Sequence, residues 1–295
     1  MIPFDPNKPE TGIFTDITSN EYHRVLTDVV SNSYLGRLSK CPAKAKVLDK
    51  ETDSLMFGRA LHAYVLDRDQ WNREFFVIPE KLNMRTNAGK EAMADYEAQS
   101  AGKQLVHLED AHIIMEMHDA VMSNPAAASM LAGAGKEVTV IWQDEETGIF
   151  CKTRPDILPD ESTGVILDLK TTKNAAEHPF QTSIVTYGYD RQAAMALYGV
   201  SKATGKKHDL FGFIALETEV PYRTELYVLD DQFIRRGYNE FKRLLRIEKH
   251  CREQNYWPNY APTNLLDLHQ VGAHTVLMPG YLKEDGVWEL DTVEV

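Results

Sequence analysis

The period of the apolar positions changes near residue 137, and the change separates two kinds of structure. Upstream the spacing is helical. Ser54–Asp67 carries Leu55, Leu61, Val65 and Leu66 near helical spacing, which predicts a helix with one buried stripe. Gly58 within it costs about 1 kcal/mol relative to alanine, which implies close packing at that point. Thr18 and Glu21 stand at the spacing of a capping box and predict a short helix. Ser33–Leu48 reads as helical with a break at Pro42, and Phe75–Ile78 as a short strand. Residues 88–100, 108–123 and 125–132 read as helices, the last with Pro125 in its first turn. Residues 1–14, with Pro3, Pro6 and Pro9, read as an extended arm.

From Glu137 onward the pattern shortens to strand period. Glu137–Trp142, Gly148–Asp156 and Gly164–Thr171 predict three strands joined by polar turns at 143–147 and 159–163. Short turns between successive strands make an antiparallel meander. Tyr187–Ala203 then reads as a helix, Phe211–Glu217 and Thr224–Leu229 as strands, and Asp230–Arg252 as a long helix. Ile234, Tyr238, Phe241 and Leu245 give that helix its apolar stripe. The expected fold is α/β, a central mixed β-sheet with an antiparallel three-stranded meander flanked by helices. Its expected divisions are the arm 1–14, one domain over 15–258, and a less regular tail over 259–295.

Composition narrows the function. Asp plus Glu number 44 against 32 Lys plus Arg, a net charge of −12, which argues against a protein coated in nucleic acid but not against a locally basic groove. No apolar run reaches the roughly 18 residues of a membrane span, and the first residues lack the pattern of a signal peptide. A cytoplasmic protein without membrane contact is therefore expected. The three cysteines, Cys41, Cys151 and Cys251, form no CxxC pair, so neither a zinc site nor an iron–sulfur cluster is expected. Gly135-Lys136 lacks the rest of a Walker A loop, so no ATP is expected either.

The candidate chemistry lies in Arg154-Pro155-Asp156 and, twelve residues after that aspartate, Asp168-Leu169-Lys170. Side chains alternate along a strand, so Asp168 and Lys170 share a face. A turn centred near Ser162 sets Asp156 opposite Asp168. Opposed like charges on paired strands destabilise the pair, and a divalent cation would offset the repulsion. A turn near Glu145 would bring Glu137 toward Arg154 and Asp156. The alternative is a solvated strand face with its charges paired by Lys152, Arg154 and Lys170.

PD…DLK, together with GRALHAYVLD (58–67), Tyr189-Asp190-Arg191-Gln192 followed by AAMALY, and SNSYLGRLSKCP (31–42), resembles the PD-(D/E)XK nuclease superfamily. Within it the likeness is to exonuclease VIII (RecE)-type nuclease domains, over roughly 15–258, with the motifs in family order. The resemblance implies Asp156, Asp168, the Leu169 carbonyl and His62 as metal ligands. Lys170 would orient or deprotonate the attacking water. Glu137 would be a further catalytic acid, and Gln192 and Tyr189 would touch the DNA backbone or brace the lysine. Unlike several relatives, this chain carries no four-cysteine set and no helicase motif.

The same resemblance implies a Mg²⁺-dependent exonuclease, with Mn²⁺ as a substitute, acting on double-stranded DNA ends and resecting 5′ ends for recombination. A RecT-like single-strand annealing protein is the implied partner, and a homo-oligomeric ring the implied assembly. A structure-specific endonuclease of the same superfamily, or a non-catalytic DNA- or protein-binding module, is the alternative. Lys152, Arg154, Lys170, Lys173 and Arg191 surround the expected site, and the long helix adds seven more cations from Arg235 to Arg252. Most of these read as a solvated helix face, of which a subset could track a phosphate backbone.

Overall fold

The computed structural model describes residues 4–5, 8–47, 52–79, 82–132, 134–135, 138–159 and 165–259, and four two-residue strands between 276 and 293. The elements run β1 (Gly12–Phe14), α1 (Asn32–Lys40), α2 (Asp53–Leu66), α3 (Arg68–Glu74), β2 (Phe75–Ile78), α4 (Asn87–Ser100), β3 (Gln104–His107), α5 (Leu108–Ser123) and α6 (Pro125–Ala132). They continue as β4 (Ala134–Gly135), β5 (Thr139–Gln143), β6 (Phe150–Thr153), β7 (Leu158–Pro159), β8 (Val165–Thr172), α7 (Glu177–Tyr187), α8 (Tyr189–Thr204), β9 (Leu210–Glu217), β10 (Thr224–Val228) and α9 (Asp231–Glu253). In the tail, Val276–Leu277 pairs with Thr292–Val293 and Tyr281–Leu282 with Trp288–Glu289.

The fold is mixed α/β, as the pattern indicated. β5 and β6 are antiparallel, and the end of the expected arm adds β1 to the open edge of β5. β8 pairs in parallel with β9, which pairs antiparallel with β10, so this sheet is mixed. The meander runs on from β6 to β8 through a single bridge, Ile157 opposite Leu167. It is therefore jointed rather than one continuous ladder, and β8 takes most of its backbone bonds from β9.

Alternation along β8 and β9 divides the core in two. Ile166, Phe211, Phe213 and Ala215 pack with α1, α8 and α9. Leu167, Leu169, Ile214 and Leu216 pack with α2, α5 and α6 on the opposite face. The strands are buried on both sides, which is why they read as dense apolar runs.

The Thr18–Glu21 capping box forms: the Glu21 amide donates to Thr18 Oγ1 at 3.2 Å and the Thr18 amide to Glu21 Oε2 at 2.7 Å. Among the elements longer than two residues, β1, α3, β3 and α7 escaped the sequence reading. α3 is a seven-residue helix capped by Asp67, and α7 buries Phe180 and Ile184 within a run of β-branched residues and Pro179. Two expectations for α2 fail. Leu55 is 53% exposed, and a Cβ at Gly58 would meet nothing within 4 Å, so that glycine marks no close packing. On α9, Lys242 is buried and ion-paired with Asp144 rather than solvated. Among the described residues no helix is long and apolar enough to cross a membrane.

Candidate active site

The register at the joint of the meander decides the geometry. Leu167 donates to Ile157 O at 3.0 Å and accepts from Ile157 N at 3.1 Å. Two residues on, Leu169 presents its own N–H and C=O to the same edge of β8. No strand backbone continues there. The Asp156 carboxylate takes its place, accepting the Leu169 N–H at Oδ2 over 2.8 Å. Asp156 thus stands opposite Asp168, as the hairpin count indicated, held by the Leu169 N–H.

Asp168 and Lys170 turn toward α8. Lys170 Nζ forms an ion pair with Asp168 Oδ2, and Gln192 donates through Nε2 to Asp168 Oδ1 at 2.6 Å. The Tyr189 ring lies under the Lys170 ammonium, 5.0 Å from centroid to Nζ. Tyr189 therefore braces the lysine, while Gln192 braces the carboxylate. On the other side α2 brings His62 in, with Nδ1 3.4 Å from Asp156 Oδ2. Glu137 lies outside the described residues.

This is not a solvated face. Asp156 is 8% exposed and Asp168 2%. Of the three cations that could have paired the acids, only Lys170 does so. Lys152 points away and donates to the carbonyls of Tyr22 and Leu26, and Arg154 donates to Thr139 Oγ1 and Ile17 O.

The electrostatics split the two acids. Burial and the facing Asp156 push Asp168 up to about 6, against the pull of Lys170 and His62. Asp156 is buried too, yet His62, Lys170 and the Leu169 N–H together hold it below the ordinary carboxylate value. Burial opposes the charge on His62, and the adjacent Asp156 outweighs it, raising the imidazole. Burial likewise opposes the Lys170 ammonium, and Asp168 with Asp156 outweighs it. Environments that drive paired groups apart in this way are typical of acid–base sites.

The divalent cation implied by the motif can be tested against these residues. Among the described residues no three His, Cys, Asp or Glu side chains cluster so as to hold a metal by themselves. The available donors are the Asp156 and Asp168 carboxylates and the Leu169 carbonyl, a hard oxygen set that Mg²⁺ completes with water and phosphate oxygens. Asp168 Oδ2 is buried against the Lys170 ammonium, and that one cation does not cancel the repulsion of the facing Asp156, which still raises Asp168. Two buried carboxylates in that relation suit a further cation, so the residues fit the group.

A family model for a PDDEXK-like domain of unknown function (DUF3799) matches residues 31–264, and the chain belongs to that family. A search of curated proteins finds no match. Among solved structures, a candidate exonuclease from Eubacterium rectale aligns with a TM-score of 0.59 at 15% identity, covering 87% of this chain and 93% of that one. An alkaline exonuclease from Laribacter hongkongensis aligns at 12% identity over 80% of this chain and 97% of that one, with a TM-score of 0.27. At these identities the likeness is one of fold, and it rests on the E. rectale structure.

Proposed function

We propose that this PDDEXK-like protein is a divalent-metal-dependent exodeoxyribonuclease on linear double-stranded DNA, resecting 5′ ends to leave 3′ single strands for recombination. The observation that carries the reading is the buried pair Asp156–Asp168, whose mutual repulsion the described residues only partly offset, with Lys170 on the same strand. The family's nuclease-like fold supports phosphodiester hydrolysis, and the E. rectale description supports the exonuclease mode.

Mg²⁺ or Mn²⁺, when bound, supplies Lewis-acid polarisation and a water of lowered pKa. Asp156, Asp168 and the Leu169 carbonyl would hold it, with His62 positioning the Asp156 carboxylate from α2. Lys170 Nζ is placed to orient the attacking water and to stabilise charge at phosphorus. Gln192 fixes Asp168 through Oδ1, while Oδ2 faces Lys170. Tyr189 holds the lysine against the strand.

At a net charge of −12, an open monomer would hold duplex weakly at physiological salt. A closed homo-oligomeric ring of three or four copies with its basic residues inward resolves that conflict. A RecT-like annealing protein would take up the 3′ strands. One assay tests the activity: linear and closed circular duplex incubated with Mg²⁺ or with chelator. Digestion of linear DNA alone, abolished by chelator, is the expected result. Cutting of closed circles would replace the exonuclease reading with a structure-specific endonuclease. Absence of any cutting would leave a binding module.

A further inference from the structure

The first turn of α8 carries side chains in two directions. Tyr189 and Gln192 face Lys170 and Asp168. Arg191, between them, points the other way, into a cleft of about 780 Å³ between α1, the α7–α8 junction and α9. Arg191 is only 7% exposed. Its Nε donates to Asn32 Oδ1 at 2.8 Å, while its two terminal nitrogens have no hydrogen-bond partner among the described residues. Only one of its five N–H donors is used, and the four on the terminal nitrogens open onto the cleft.

The cleft is built around that fork. A Cβ on Gly188 would lie 2.7 Å from Nη2, and one on Gly36 would lie 3.0 Å from the same atom. Gly188 also has φ +68°, so it serves both the helix junction and the fork. The acids nearby, Glu240 and Asp190, attract Arg191 electrostatically but form their direct pairs with other cations. Glu240 takes both bonds from Arg243, at 2.8 and 2.9 Å, and Asp190 is paired with Arg236. Lys40 stands exposed among the lining residues. The cleft is therefore cationic on a chain that is strongly acidic overall, and its central donor is planar and forked, a shape that matches phosphate oxygens.

We propose that Arg191 binds a backbone phosphate of the nucleic acid away from the bond being cut, which ties the position of the duplex to Tyr189 and Gln192 through one helix turn. This rests on the nuclease reading, so binding is measured apart from cleavage. Each variant is made in the Asp168→Asn background and titrated in chelator with fluorescent duplex DNA over a series of salt concentrations. Arg191→Gln should bind about 10-fold more weakly, with the slope of log affinity against log salt smaller by about one. Arg191→Lys should restore the slope while recovering only part of the affinity, since it keeps the charge and loses the fork. Melting curves establish that each variant is folded. Lys40→Gln, at the exposed rim, carries the test if Arg191→Gln does not fold, with an expected loss of at least about two-fold.

An unchanged slope and affinity in the folded variants would overturn the site while leaving the nuclease reading standing. A parent that neither binds nor cuts DNA would overturn that reading itself. Linear duplexes with 5′-hydroxyl ends should show the same loss as 5′-phosphorylated ones. A loss confined to 5′-phosphorylated ends would overturn the backbone assignment in favour of an end phosphate.

Discussion

Among the described residues, two buried carboxylates, Glu248 on α9 and Asp168 on β8, have surroundings that differ in kind. Glu248 accepts from the Tyr34 hydroxyl at 2.7 Å and Trp257 Nε1 at 3.0 Å on one oxygen, and from Arg252 Nε at 2.6 Å on the other. Every donor is matched, and the carboxylate ties α1, α9 and the following segment together. Asp168 has one amide, one ammonium, and a second carboxylate in front of it. Both are equally dry. The first environment is complete as protein, whereas the second sets a buried carboxylate against a like charge that one ammonium only partly offsets. Burial alone therefore does not mark a functional acid; the balance of donors does.

The sharpest way to break this comparison is to neutralise each acid in turn. Asp168→Asn should remove cleavage by more than about 10³-fold, beyond what one lost hydrogen-bond donor costs, with the fold intact because a repulsion is removed. Single-turnover cleavage and a melting curve on the same preparation check it. Lys170→Ala should lower the cleavage rate by about 10²–10⁴ while leaving metal binding in place, since an ammonium cannot be a ligand. Loss of metal binding together with rate would make Lys170 structural.

Glu248→Ala should behave in the opposite way. It strands the Tyr34 hydroxyl, the Trp257 indole and Arg252, and should cost about 2–4 kcal/mol of stability. Urea unfolding checks the cost, and the surviving folded fraction should keep its specific cleavage rate.

A third buried charge gives the smallest effect. Burial, then the neighbouring Arg154 and Arg37, depress Lys152 from 10.5 to about 7. Between those values the unfolded chain binds a proton that the folded chain does not. Stability should therefore rise with pH across that window, and the full penalty should stand below about 7. Melting temperatures compared between wild type and Lys152→Met from about pH 6 to about pH 10 should show the slope only in the wild type.

Much of the site was legible because it depends on local rules. Alternation put Asp168 and Lys170 on one face, and turn length set Asp156 opposite Asp168, which the Ile157–Leu167 bridge bears out. Side-chain contacts between distant segments were not legible. Nothing in the pattern of α9 shows that Lys242 turns inward to Asp144 while Arg246 and Lys249 face water, because that choice is made by the β5–β6 turn 98 residues away. The bond from Gln192 to Asp168 was hidden for the same reason: the helix was visible, but its rotation about the strand was not. The short helices α3 and α7 lack the repeated apolar spacing by which helices are read. Leu55 and Gly58 show the converse error, apolar spacing taken for burial at the exposed end of α2.

The central claim is that Asp168 is left incomplete for a cation. Calorimetric titration of Mn²⁺ into wild type, Asp168→Asn and Glu248→Ala tests it without any need for turnover. The account expects saturable binding and a raised melting temperature in wild type, loss of both in Asp168→Asn, and retained binding in folded Glu248→Ala. Equal binding by wild type and Asp168→Asn, or no binding by wild type, would contradict it.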